Sequence, residues 1–84
     1  HMPHALQPQL DALLDQMITQ QRAKVLRIAR ELNPSITPDD VLNPHDFPEL
    51  DADSRYNFED GILSGYISAQ MALRAEFKRL EDEA

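Results

Sequence analysis

"NPSITPDDVLNPHDFPEL", residues 33–50, lies between two long stretches of helical periodicity and decides how they can meet. Fully extended, a segment of that length reaches on the order of 60 Å, enough to let two helices run parallel. Its sequence argues against extension. In "TPDD", Thr37 is placed to cap, Pro38 to take the first helical position, and Asp39 and Asp40 to favour the positive helix end. That grammar predicts a short helical turn over Pro38–Leu42. "NPHD" repeats it, with Asn43 as cap and Pro44 as first residue. Ile36, Val41, Leu42, Phe47 and Leu50 are apolar and spaced through the segment, so they are expected to anchor it on the helices. Local turns shorten the reach, and an antiparallel hairpin follows.

Before this crossover, helix 1 is expected over about residues 8–32. Pro8 suits a first helical turn, where its missing N–H costs nothing. Asn33-Pro34 ends the helix, because a residue before proline avoids the α region. Leu14, Ile18, Gln21, Val25, Ile28 and Leu32 alternate by four and three, a heptad seam with one polar member. Leu10, Leu13, Met17, Leu26 and Ala29 widen that face beyond what one neighbouring helix covers.

Helix 2 is expected over about residues 52–81. Glu59, Leu63, Tyr66, Gln70, Leu73, Phe77 and Leu80 repeat the four-and-three alternation. Asp51 would cap a start at Ala52, and Asn57 with Asp60 would cap a later one. The earlier start is expected, with a kink near Asn57. Gly61, Gly65 and Ala69 recur every four residues. Two glycines inside a helix cost roughly 1 kcal/mol each relative to alanine, so close approach of another element is expected to offset them. Gln21 and Gln70 each interrupt a seam, either bonding across the core or a dimer axis, or facing solvent if the seam ends lie elsewhere.

Composition narrows the class. The chain of 84 residues suits one small domain, and a core this size supplies little stability on its own. It has no cysteine, which fits a reducing cytoplasm, and no apolar run near the ~18–20 residues that span a bilayer. His1-Met2 reads as a cloning scar followed by a start methionine. A net charge of −7 opposes non-specific nucleic-acid binding. Two glycines and no alternating strand pattern leave an all-α fold.

No motif carries chemistry. "DADSRYNFEDG" fails as a calcium loop, since Arg55 occupies the third ligand position, Tyr56 the required glycine and Ile62 the bidentate glutamate. His45, Asp46, Glu49, Glu59 and Asp60 could gather at one end, but one histidine without a second ligand at metal spacing reads as a capping or surface group. No nucleophile–base pair or phosphate loop is present, so no catalytic residue, metal ligand or cofactor is expected. His45 and Asp46 are retained as a recognition surface.

The stretch "RAKVLRIARELNPSITPDDVLNPHDFPELDADSRYNFEDGILSGYISAQMALRA", residues 22–75, resembles small bacterial proteins like the short signature protein shared by planctomycetes and chlamydiae. "DDVLNPHDFPEL" and "FEDGILSGYISAQMALRA" carry the resemblance. It implies a housekeeping role and supplies no active-site residue. The expected protein is a cytoplasmic, non-enzymatic interaction or scaffold module. Its partners would be a second copy, completing a four-helix bundle, and another protein. The alternative is a nucleic-acid- or ribosome-associated factor using Arg22, Lys24, Arg27 and Arg30 of helix 1.

Overall fold

A computed structural model describes the backbone of residues 2–83 and the side chains of residues 6–83. The described residues contain no strand. Helix α1 spans Met2–Leu32, a four-residue helix α2 spans Pro48–Asp51, and helix α3 spans Ser54–Glu83. Two 3-10 turns, Asp40–Leu42 and Pro44–Asp46, lie between α1 and α2. α1 and α3 pack antiparallel along a rod of 50 × 19 × 18 Å, so the hairpin expected from the crossover is the fold.

The crossover is a chain of small hydrogen-bonded turns. Asn33 receives a bond from Ser35 N–H on its side-chain oxygen and sends its amide to Glu49 at 3.0 Å, tying the start of the segment to its end. Thr37 and Asp40 bond reciprocally, Thr37 N–H to the Asp40 carboxylate at 2.8 Å and Asp40 N–H to the Thr37 hydroxyl at 3.3 Å. This is the capping-box arrangement. The expected turn over Pro38–Leu42 is present, tightened to 3-10 geometry. Pro44 opens the next turn as expected, but Asn43 makes no side-chain cap, and its carbonyl accepts the Asp46 N–H instead.

The start of the second long helix differs from both expected caps. Neither Asp51 nor Asn57 caps it; Asp53 does, its carboxylate accepting the Tyr56 N–H at 2.7 Å. Ala52-Asp53 breaks the chain between α2 and α3, so the discontinuity falls there and not near Asn57. The reason is the core. This register drives Tyr56 fully inward, and Asp51 is left to accept the Asn57 side-chain amide on its carbonyl. At the other end α3 continues to Glu83, past the expected limit near 81. α1 likewise begins at Met2, placing Pro8 inside the helix and not in its first turn. The proline removes one backbone bond, which a helix of 31 residues absorbs close to its end.

The core sits at the crossover end. Ile18, Val25, Ile28 and Ala29 of α1 meet Ile36, Leu50, Tyr56 and Leu63. Six of these residues are almost completely enclosed: Tyr56, Ile28, Ile36, Leu50, Val25 and Ala29. Val41 and Phe47 pack partly against the cluster. Leu42, expected as an anchor like the others, is not one; it stands 71% exposed on its 3-10 turn, outside the core cluster. The glycine row does not meet a neighbour either. A Cβ at Gly61 or Gly65 would meet nothing within 4 Å, and Ala69 is exposed. All three lie on the face of α3 turned away from α1, so no close approach offsets their cost.

Candidate interaction surfaces

Polar side chains fix the register of the two long helices. Gln21 is buried and donates to the Glu59 carbonyl and carboxylate, each at 2.8 Å. Lys24 reaches the same carboxylate at 3.0 Å. The Gln21 amide, with the Lys24 ammonium beside it, holds the Glu59 carboxyl below its ordinary range. Further along, buried Gln70 donates to Asp15 at 2.6 Å. Arg74 clasps Asp11 through two nitrogens, at 2.7 and 3.0 Å, which lowers the Asp11 carboxyl. The glutamines therefore do bond across the helix pair, but to carboxylates of the opposite helix and not to each other. A slip of the helices would break these bonds, and a buried amide left without a partner costs more than the bond contributes.

Beyond these struts the seam opens. Leu14, Phe77 and Leu80 are half-buried and Leu73 is 38% exposed; of the other expected seam residues, Tyr66 between the struts is half-buried and Leu32 at the crossover end is 37% exposed. Leu6, Leu10 and Leu13 of α1 are exposed at 43%, 36% and 53%. Leu10, Leu14, Leu73 and Phe77 border one shallow depression together with Gln7 and the Asp11–Arg74 pair, so apolar side chains of both helices meet there. About 100° of rotation per residue sets Leu6, Leu10 and Leu13 on one side of the Ile18–Val25 line. Leu73 and Leu80 fall on the matching side of α3. This is an apolar strip along one flank of the end remote from the crossover.

A second surface lies on the opposite flank. Leu26 of α1, Leu63 and Ile67 of α3 and Val41 and Leu42 of the crossover wall a groove of about 650 Å³. Arg22, Asp39 and Asp60 stand at its margins. Burial pushes the Asp60 carboxyl above its usual range, and no cation pairs with it among the described residues. Sequence reasoning did not single out this groove, since it needs two turns of α3 and a crossover residue from some twenty positions earlier in the chain.

The residues expected as a recognition surface are exposed. His45 bonds Asp51 through Nδ1 at 2.9 Å, with its side chain 87% exposed, and Asp46 is exposed beside it. The carboxylates that could have gathered there do not. Glu49 is bound to Asn33 and Glu59 to Gln21, and no set of three or more potential metal ligands forms among the described residues. Of the basic residues of α1, Lys24 pairs with Glu59 and Arg30 donates to the Ile36 carbonyl at 3.0 Å. Arg22 and Arg27 are exposed.

Tyr56 is the core residue the sequence reading missed. Its signal was present: one step of three back from Glu59 extends the α3 seam to it. Its hydroxyl is buried without a hydrogen-bond partner among the described residues. No known protein family, curated protein or solved structure matches the chain.

Proposed function

We propose that this chain is a non-enzymatic helical interaction module that works as a homodimer. The observation that carries the reading is the apolar strip of Leu6, Leu10, Leu13 and Leu73 at the open end of the hairpin. Two helices cannot cover each other's broad faces, and a two-fold copy laid strip against strip would complete a four-helix bundle. The strip draws leucines from both helices, and it lies directly beside the seams that form the core at the other end. A surface of this kind is more than the scattered single leucines of an ordinary surface.

The alternative role on nucleic acid draws less support. Lys24 and Arg30 are already engaged within the protein, and Arg22 borders the same groove as Asp39 and Asp60. A charge of −7 opposes the phosphate backbone.

Sedimentation equilibrium tests the reading. The wild-type chain should sediment as a dimer at micromolar concentration. Leu10→Lys with Leu13→Lys should yield a folded monomer, because both positions are exposed within one chain. A wild-type monomer at high micromolar concentration overturns the proposal.

A further inference from the structure

We propose that the groove walled by Leu26, Val41, Leu42, Leu63 and Ile67 binds an amphipathic helix of a partner protein, its apolar stripe bordered by lysine or arginine opposite Asp39 and Asp60. The inference deepens the reading of the chain as an interaction module, on a flank other than the one through which two copies would meet. Helical rotation sets Arg22 and Leu26 on one side of the Ile18–Val25 line and the exposed leucines of the strip on the other. On α3, Asp60, Ser64 and Ile67 are separated in the same way from Leu73 and Leu80.

Size and shape select a helix. From Asp60 to Ile67, α3 borders the groove over about 10 Å, or two helical turns. That length accepts apolar anchors at helical spacing, as in other helix-in-groove recognition. The described residues offer no strand, so an extended peptide has no edge to pair with.

The crossover lip points the same way. Leu42 is 71% exposed and contributes nothing to the core, yet its position is held firmly. The Thr37–Asp40 box precedes it, and its own N–H is bonded to the Asp39 carbonyl at 3.1 Å. A leucine kept in water by an ordered turn is pre-organised for contact, which lowers the ordering cost of binding.

Charge then selects the sign of the partner. Two carboxylates and one guanidinium border the groove, and Asp60 is partly desolvated without a cation. An incoming lysine or arginine would supply the missing charge at Asp60, which is already partly withdrawn from water. The chain's −7 charge would also speed the approach of a basic segment.

The test uses the full chain and two synthetic amphipathic peptides of about fourteen residues, with leucines three and four apart. One carries lysine and arginine beside the leucines, and the other carries glutamate at the same positions. Amide shifts in NMR titration report where each binds. The basic peptide should saturate, with shifts centred on Val41, Leu42, Ser64 and Ile67, while the acidic peptide should bind at least about tenfold more weakly. Leu42→Ser and Asp60→Asn should each weaken the basic peptide by about tenfold and leave sedimentation unchanged. Leu42 is exposed, so its substitution does not put folding at risk. The proposal is overturned by an absence of saturation, by equal binding of the two peptides, or by shifts centred on Leu10, Leu13 and Phe77. Groove shifts that track protein concentration alone also overturn it, assigning the groove to a second copy. A wild-type monomer that binds the basic peptide at the groove would sink the dimer reading and leave this one standing.

Discussion

The two ends of the hairpin are built from the same heptad pattern and reach opposite outcomes. At the crossover end, Val25, Ile28 and Tyr56 are sealed, because Ile36 and Leu50 close the space the two helices leave open. At the other end, Leu14, Leu73, Phe77 and Leu80 continue that spacing but have only two helices to share, and with Leu10 and Leu13 beside them they stay partly in water. The difference lies in a third element and not in hydrophobicity. A pair of cylinders encloses a line of contact, whereas a core needs a surface on every side. The chain holds its open end in register with polar struts, Gln70–Asp15 and Arg74–Asp11, where it has no core to do so.

Substitutions can break this comparison. The largest effect is expected at Leu50, which is 0% exposed. Leu50→Ala should destabilise by roughly 2–5 kcal/mol in chemical denaturation, the range for buried leucine truncation. Leu13→Ala should cost the isolated chain under about 0.5 kcal/mol, as a surface change does. If two copies meet through the strip as proposed, the Leu13 cost should rise with concentration. Equal losses in the two variants at low concentration would erase the distinction between the ends.

A smaller effect sharpens the account of the sealed end. Tyr56→Phe removes a buried hydroxyl with no partner among the described residues. It should leave stability unchanged or raise it by about 1 kcal/mol, since the desolvation cost disappears and no bond is lost. A loss beyond about 1 kcal/mol would mean that the hydroxyl is engaged.

Gly65 probes the outer face of α3. With open space where its Cβ would stand, Gly65→Ala should stabilise by about 0.5–1 kcal/mol, as in an exposed helix interior. A destabilised dimer with an unchanged monomer would place the dimer contact on that face and not on the leucine strip.

The smallest effect is electrostatic and touches both ends. Glu59 and Glu49 near the crossover, and Asp11 at the open end, all have carboxyls lowered in the folded chain, chiefly by side-chain hydrogen bonds from Gln21, Asn33 and Arg74. A depressed folded-state pKa contributes stability above the unfolded value and loses it as pH falls through the folded one. The unfolded values are 4.5 for Glu and 3.8 for Asp, so denaturation midpoints should be flat above about pH 5 and fall below it. Asp60 runs the other way: its carboxyl is raised by burial, so the charged form opposes folding. Asp60→Asn should stabilise the chain at neutral pH, and the gain should shrink as acid protonates the wild-type residue. A constant gain down to low pH would contradict the burial account.

The heptad alternation was legible because it is a local property. Ile18, Val25, Ile28 and Leu63 are buried as their spacing implies. The crossover turns were also legible, since Thr37, Pro38 and Asp40 act on one another across three residues. Leu42 was misread as an anchor because apolar character says that burial is favourable, not that a turn will direct the side chain toward it. The glycine row was misread for a related reason. Its spacing shows that the three residues share a face, but only the position of α1 shows that this face looks outward.

The cap of α3 was illegible between Asp51, Asp53 and Asn57 because each is chemically competent. The choice belongs to Tyr56, whose burial depends on α1. The sequence alone thus determined an all-helical hairpin with an ordered crossover, through periodicity, proline and capping, which act over a few residues. Only the tertiary structure decided which end of the seam closes, which carboxylates receive Gln21 and Gln70, and where the groove beside Leu42 opens. Those depend on how three elements meet in space, and burial energy is a property of that meeting and not of any one segment.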